Sequence, residues 1–294
     1  MTYFERIITA IYATIFLISI LANAITIFKL YFVKTPIKPF LTFLTISDVS
    51  FLLLSTFDAI SFLKHKWIFG NELCIAQALL IESSFNISIT TLTFLSISRY
   101  KTICNTFTTP NTKLHRSNKI ILISISIFSV LTQIPSTLTY HLYDSACCNT
   151  KYGSKFRLIV FSINTFFFFI TPAIIITVSH VSIILFLRRH NTFDPDVIFN
   201  TKHIDQNPVV HIRKLKRNTK RDQNKKLTRT LILLSTTLFL TWTPFIILRM
   251  LKYTGYKIDK RIWVSSQCAT LLHTALNPFL YCFPSINPFP CFRH

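Results

Sequence analysis

Inside the long apolar stretches of this 294-residue chain lie polar side chains that lipid does not tolerate alone: Asn23, Asp48, Ser88, Trp242, His273 and Asn277. Ionisable and amide groups at such positions need partners, and each marks a candidate site. The six fall at comparable depth, toward the middle or inner half of their segments. If they converge, Asp48, Ser88 and Asn277 supply oxygens for a hydrated cation such as sodium, with Asn23, Trp242 and His273 nearby. Interhelical hydrogen bonding without an ion is the alternative. No paired carboxylates and no histidine-rich set suggest an intramembrane enzyme. Seven cysteines without a repeated CxxC spacing give no metal signature, and at most one disulfide is expected. No motif for an organic cofactor stands out.

The elements that must position these groups are membrane helices. Half of the residues are hydrophobic, 15% are charged and the mean hydropathy is +0.45, a balance foreign to soluble domains. Seven apolar segments, 7–32, 40–63, 73–100, 120–140, 158–187, 227–251 and 262–283, can each span a bilayer. They predict one all-α, seven-transmembrane domain. The first begins a few residues after Met1 without a small-residue cleavage pattern, which reads as a retained helix behind a very short N-terminus. The stretch Cys74 to Tyr100 is the expected spine: 25 positions (99 − 74) separate Cys74 from Arg99, about 37 Å of helix. It carries a cysteine to one membrane face and an arginine to the other.

Charge orients the bundle. The net +21 sits in islands between the segments, as positive cytoplasmic loops do, and does not call for nucleic acid. Lys29, Lys34 and Lys38 lie at or after the end of the first segment; Arg99, Lys101, Lys113, Arg116 and Lys119 lie at or after the end of the third; a basic loop, 188–226, follows the fifth. These loops read as cytoplasmic, which puts the N-terminus outside and the C-terminus inside. The basic loop suits anionic inner-leaflet lipids or a protein partner, and its part from Arg213 to Lys226 reads as helical. The tail, 284–294, carries Cys291 as a palmitoylation candidate and Ser285 as its only hydroxyl. Pro135, Pro172, Pro244 and Pro278 lie within apolar segments and would kink them.

Taken together, Asn23 in LANAITI, the SD pair ending at Asp48, WIFG before Cys74, SRY at Ser98–Tyr100, Pro172, TWTP at Thr241–Pro244 and NPFLY at Asn277–Tyr281 resemble the rhodopsin-like (class A) G-protein-coupled receptors. SDVSFLLLSTFDA, WIFG and LLHTALNPFLYCF are most similar to chemokine receptors. The resemblance implies a disulfide from Cys74 to the second extracellular loop, to Cys148 or to its neighbour Cys147. It implies that Arg99 faces a heterotrimeric G protein and that Trp242 is the pocket-floor toggle. It also implies that Ser98, Tyr100, His180, Pro244, Asn277, Pro278 and Tyr281 belong to the switch. The implied localisation is multi-pass in the plasma membrane, of a host cell if the chain is viral. A composition rich in Phe, Ile, Asn and Lys with three glycines fits a viral homologue and fits an invertebrate peptide receptor.

The departures from that pattern are informative. Ser98 stands where an acid usually pairs with the arginine, Asn224 where helix six often has another, and His180 where helix five has tyrosine. An arginine near Lys225 and Lys226 without an acidic partner predicts elevated basal signalling. The amine-binding aspartate is Ile81, which argues against a biogenic amine. The helix-seven glutamate that often contacts chemokines is Gln267. Glu82 and Arg249 either pair across the pocket or Arg249 snorkels outward. The expected ligand is a peptide or chemokine-like protein, with a small anionic molecule (nucleotide or lysophospholipid) as the alternative. A nonsignalling scavenger, and from a different class a transporter or channel, are the remaining readings.

Overall fold

In lipid the backbone has no solvent to bond to, so apolar segments of this length fold as helices. The computed structural model describes residues 2–32, 37–104, 114–143, 146–148, 153–192 and 208–282. Ser285, Cys291 and the middle of the basic loop lie outside the described residues, as do the side chains of Cys148, Asn224 and Tyr281. The helices are α1 (Tyr3–Phe32), α2 (Lys38–Lys64), α3 (Gly70–Cys104), α4 (Leu114–Thr137), α5, α6 (Pro208–Tyr253) and α7 (Lys260–Cys282). α5 runs continuously through Ser154–Thr165, a π-helical turn Phe166–Ile170 and Thr171–Thr192. A short antiparallel hairpin, β1 (His141–Tyr143) with β2 (Ala146–Cys148), lies between α4 and α5.

The helices form a seven-transmembrane bundle whose surface is inverted relative to a soluble protein. Leu17, Leu131, Phe167 and Leu240 stand exposed on the outside, whereas Ser19, Asn23, Thr45, Asp48, Thr91 and Asn277 are buried among the helices. Such a surface suits hydrocarbon. Hydroxyls are satisfied locally: Thr45, Thr93, Thr137 and Thr241 each donate to the carbonyl four residues back. Among the described residues six helices contain stretches apolar enough to cross a membrane. α7 falls short because Gln267, Thr270, His273, Thr274 and Asn277 face the bundle.

Helix ends differ from the apolar limits because hydropathy marks lipid and not helix. α6 starts at Pro208, well before the apolar stretch at 227, since the intervening basic residues form helix readily and proline suits a first turn. α4 ends at Thr137 instead of continuing to 140. The chain tightens there, with Thr139 N–H donating to Ser136 O at 3.1 Å and Tyr140 N–H to Thr137 O at 2.9 Å. In α5 the π turn ends two residues before Pro172, whose ring would otherwise strike the carbonyl four residues back. α6 closes at Gly255 with φ +100°, where Tyr256 N–H reaches Leu251 O and Gly255 N–H reaches Lys252 O. Only glycine takes that left-handed position without strain.

The hairpin is pinned to the start of α3 by a disulfide between Cys74 and Cys147, 73 residues apart. Of the two cysteines the resemblance left open, Cys147 is the one that pairs. Successive strand residues alternate between faces, and the register that opposes Cys147 to Leu142 presents Cys147 to α3. Closing a loop of this length contributes at most about 4 kcal/mol, less where inserted helices already restrict the unfolded chain. Cys74→Ser and Cys147→Ser should each lower the melting temperature of the detergent-solubilised protein by several degrees. Cys148→Ser should leave it unchanged, and equal loss from both hairpin cysteines would contradict the register.

Candidate functional site

A cavity of about 870 Å³ opens at the end of the bundle that carries the disulfide. Its wall comes from α1, α2, α3, α6 and α7, with Tyr140 and Cys147 at the rim and Phe51 and Trp242 at the floor. Glu82, Arg249 and Gln267 all line it. The volume suits a drug-sized ligand or the end of a longer one.

One ion pair spans the cavity. Arg249, 4% exposed, donates through Nη1 to Glu82 Oε1, joining α6 to α3. Its Nη2 donates to the Tyr140 hydroxyl and its Nε to the Tyr253 hydroxyl, both at 3.1 Å. The Phe161 ring lies 4.3 Å from the guanidinium centre, a cation–π contact. All three nitrogens are therefore engaged, and Arg249 does not snorkel. Burial pushes the Tyr140 phenol well above its ordinary pKa, so it stays a neutral hydroxyl. A buried pair of this kind is destabilising to break, because the remaining charge is left without a partner.

The opposite wall carries a second polar group that stood out from no motif in the sequence. Asp58 on α2 is exposed into the cavity, and Gln77 of α3, itself buried, donates from Nε2 to Asp58 Oδ2 at 2.8 Å. One turn away the Tyr12 hydroxyl lies 3.0 Å from Ser55 Oγ. The available signal was spacing: Asp58 stands ten residues beyond Asp48 (58 − 48), about 15 Å along the same helix.

Beneath the floor the polar residues converge. Asn277 Nδ2 donates to Asp48 Oδ2 at 2.7 Å, and His273 Nε2 lies 3.6 Å from Asp48 Oδ1. The Trp242 indole donates to His273 Nδ1 at 3.3 Å. Nδ1 also lies against the Thr270 carbonyl. An indole can only donate and a carbonyl only accept, so a ring protonated on Nε2 accepts from Trp242, whereas one protonated on Nδ1 donates to Thr270. Ser88 bonds Ser47 at 3.0 Å, and Asn23 donates to the carbonyls of Ser19 and Thr274. Asp48 Oδ1, Asn277 Oδ1 and Asn23 Oδ1 are buried without hydrogen-bond partners. Oxygens of this kind suit a hard cation. Among the described residues no group of three His, Cys, Asp or Glu side chains could hold a metal.

Trp242 joins the two regions, stacking on Phe85 at 3.9 Å and contacting Phe51 at 5.3 Å. At the other end of the bundle Arg99, Ser98 and Tyr100 close α3. Arg99 is half-buried, and no carboxylate pairs with it among the described residues. His180 of α5 reaches Ser96 instead, Nε2 to Oγ at 3.2 Å. Pro244 and Pro278 lie inside α6 and α7.

Residues 7–281 match the family model described as 7 transmembrane receptor (rhodopsin family). The chain is 30% identical over 191 residues to the pyrokinin-1 receptor of Drosophila melanogaster, covering 62% of this chain and 44% of that receptor. It is 25% identical over 300 residues to the neuromedin-U receptor 2 of Mus musculus, covering 96% of this chain and 70% of that one. To the somatostatin receptor type 4 of Rattus norvegicus it is 25% identical over 291 residues, 95% of this chain and 70% of the receptor. The chain thus spans less than half the length of the first of these relatives. Its bundle, its cavity above a buried polar layer and a family match that reaches from the first helix to Tyr281 lead to one assignment. The chain belongs to the rhodopsin-like (class A) family of G-protein-coupled receptors, and is a multi-pass membrane receptor and not an enzyme.

Proposed function

We propose that the chain is a plasma-membrane receptor for a peptide-type ligand and signals through heterotrimeric G proteins. The disulfide end of the bundle lies outside the cell and the Arg99 end inside. A cystine belongs to the oxidising side and basic loops to the cytoplasm, which supports that orientation. The observation that carries the reading is the wide cavity at the disulfide end, lined with aromatic groups and crossed by the Glu82–Arg249 pair. The relatives' names, pyrokinin, neuromedin-U and somatostatin receptors, favour a peptide over a nucleotide or lysophospholipid. Arg249 is already held by Glu82 and is a poor seat for a free anion. Arg157, Lys252, Lys260 and Arg261 make the mouth basic, which favours acidic flanking residues in the ligand by steering the encounter.

The polar layer supports a sodium ion held by Asp48, Ser88 and Asn277, stabilising one packing of α2, α3 and α7. Replacing choline chloride with sodium chloride at equal ionic strength should raise the melting temperature of the purified receptor, and Asp48→Asn should remove that rise. A rise that persists in Asp48→Asn would place the ion elsewhere.

Without an acid beside Arg99 the inactive packing lacks one restraint, and we expect ligand-free signalling. In transfected cells, output normalised to surface expression should fall to the empty-vector level in Arg99→Ala. Ser98→Asp should reduce it severalfold, since about 1 kcal/mol changes a two-state ratio about fivefold. Output of the wild type equal to empty vector would refute it.

The direct test of the ligand class is a G-protein dissociation assay on cells expressing the full chain. It would be challenged with synthetic pyrokinin, neuromedin-U and somatostatin peptides, chemokines, nucleotides and lysophospholipids. A concentration-dependent response to a peptide supports the proposal. Responses confined to nucleotides or lysophospholipids overturn it.

A further inference from the structure

The cavity contains two carboxylates among its described lining residues, and they differ in state. Glu82 is neutralised by Arg249. Asp58 has no cationic partner among the described residues; its one hydrogen bond is from Gln77 Nε2 to Oδ2. Gln77 is 4% exposed and its amide also points toward the Leu54 carbonyl at 3.4 Å, so the carboxylate is held in place from behind. Asp58 is nevertheless exposed, and the space it is exposed to is the cavity. Its Oδ1 accepts no hydrogen bond among the described residues.

A second acceptor stands beside it. Ser55 donates its own proton to the Leu52 carbonyl at 2.7 Å. The 3.0 Å contact between Tyr12 and Ser55 must then use the tyrosine's proton. The Tyr12 oxygen keeps lone pairs free to accept. Ser55 and Asp58 are three residues apart on α2, so they lie on one face of that helix. Asp58 and Tyr12 both line the cavity, with Ile81 among its apolar lining. A negative charge and a neutral acceptor with no donor left over match a cation with several N–H groups on an apolar stem.

We infer that Asp58, oriented by Gln77 and flanked by the Tyr12 hydroxyl, is the seat of a guanidinium or ammonium group of the ligand. The subsite deepens the peptide reading and rests on it for its biological occupant. A ligand that fits it inserts a basic side chain or terminus between α1, α2 and α3, while its acidic flanks meet the basic mouth. The inserted cation meets Asp58 and not Glu82, whose charge Arg249 already holds.

The test uses 4-phenylbutylguanidine and its uncharged isostere 4-phenylbutylurea. Binding of each to the full chain in phosphatidylcholine nanodiscs is read by saturation-transfer NMR, with empty nanodiscs subtracted. The guanidine should bind wild type about tenfold or more tightly than the urea, the size expected of a charge-assisted hydrogen bond. Asp58→Asn should bring the ratio near one. A ratio near one in the wild type or an unchanged ratio in Asp58→Asn overturns the subsite. If Asp58→Asn no longer melts cooperatively, Tyr12→Phe replaces it; a severalfold drop in guanidine affinity supports the subsite and no drop overturns it. A peptide that activates the receptor alongside a fragment ratio near one removes the subsite and leaves the peptide reading. A tenfold ratio with no responding peptide does the reverse.

Discussion

The absence of water in the bilayer governs where every polar side chain of this protein goes. A group that can hydrogen-bond must find its partner inside the bundle, and where that partner lies on another helix the bond ties the two together. Asn23 reaches the α7 backbone at Thr274. Asp48 takes Asn277, Gln77 takes Asp58 and Arg249 takes Glu82. The same apolar packing that would be a core in a soluble protein is here also the outer surface, so Leu, Ile and Phe discriminate little between neighbours. The polar pairs supply register, and they also create places where a ligand or ion finds hydrogen-bonding chemistry.

That division explains what could be read in advance. The polar layer was legible because Asn23, Asp48, His273 and Asn277 interrupt apolar runs at matching depth, and a mismatch of that kind has few innocent explanations in lipid. Seven segments were legible for the same reason, through hydropathy. Helix ends were not, because α6 continues through charged residues for which hydropathy has no preference. Nor was the choice between Cys147 and Cys148, which depends on the register of a hairpin three residues wide. The sequence left Arg249 two placements. The Tyr140 and Tyr253 hydroxyls and the Phe161 ring, from separate parts of the chain, decide between them. Asp58 was visible as a charge, but its setting depends on Gln77 from another helix.

The two carboxylates of the cavity show how setting, and not residue type, assigns a role. Glu82 and Asp58 are both acids on the inner wall. Arg249 converts the first into a brace between α3 and α6, whereas the neutral amide of Gln77 fixes the second without cancelling its charge. A ligand that must displace Arg249 from Glu82 would have to leave a buried guanidinium without its counter-charge, an unfavourable exchange. A ligand that approaches Asp58 supplies a missing one. The cavity is therefore asymmetric, with a structural side at α6 and a receptive side at α1 and α2.

Trp242 connects this asymmetry to the layer below. Its ring is in contact with Phe51 and Phe85 at the floor and its N–H is bonded to His273, which faces Asp48. Moving the indole changes two things together, the shape of the floor and the hydrogen bond it offers to His273. A ligand pressing on the floor and a cation at Asp48 would then act on the same element, and linkage requires their effects to be reciprocal. Contact alone does not make a pathway. The physical basis for coupling here is that His273 Nδ1 can accept from the indole only while the other ring nitrogen carries the proton, so the ring's two faces cannot change partners independently.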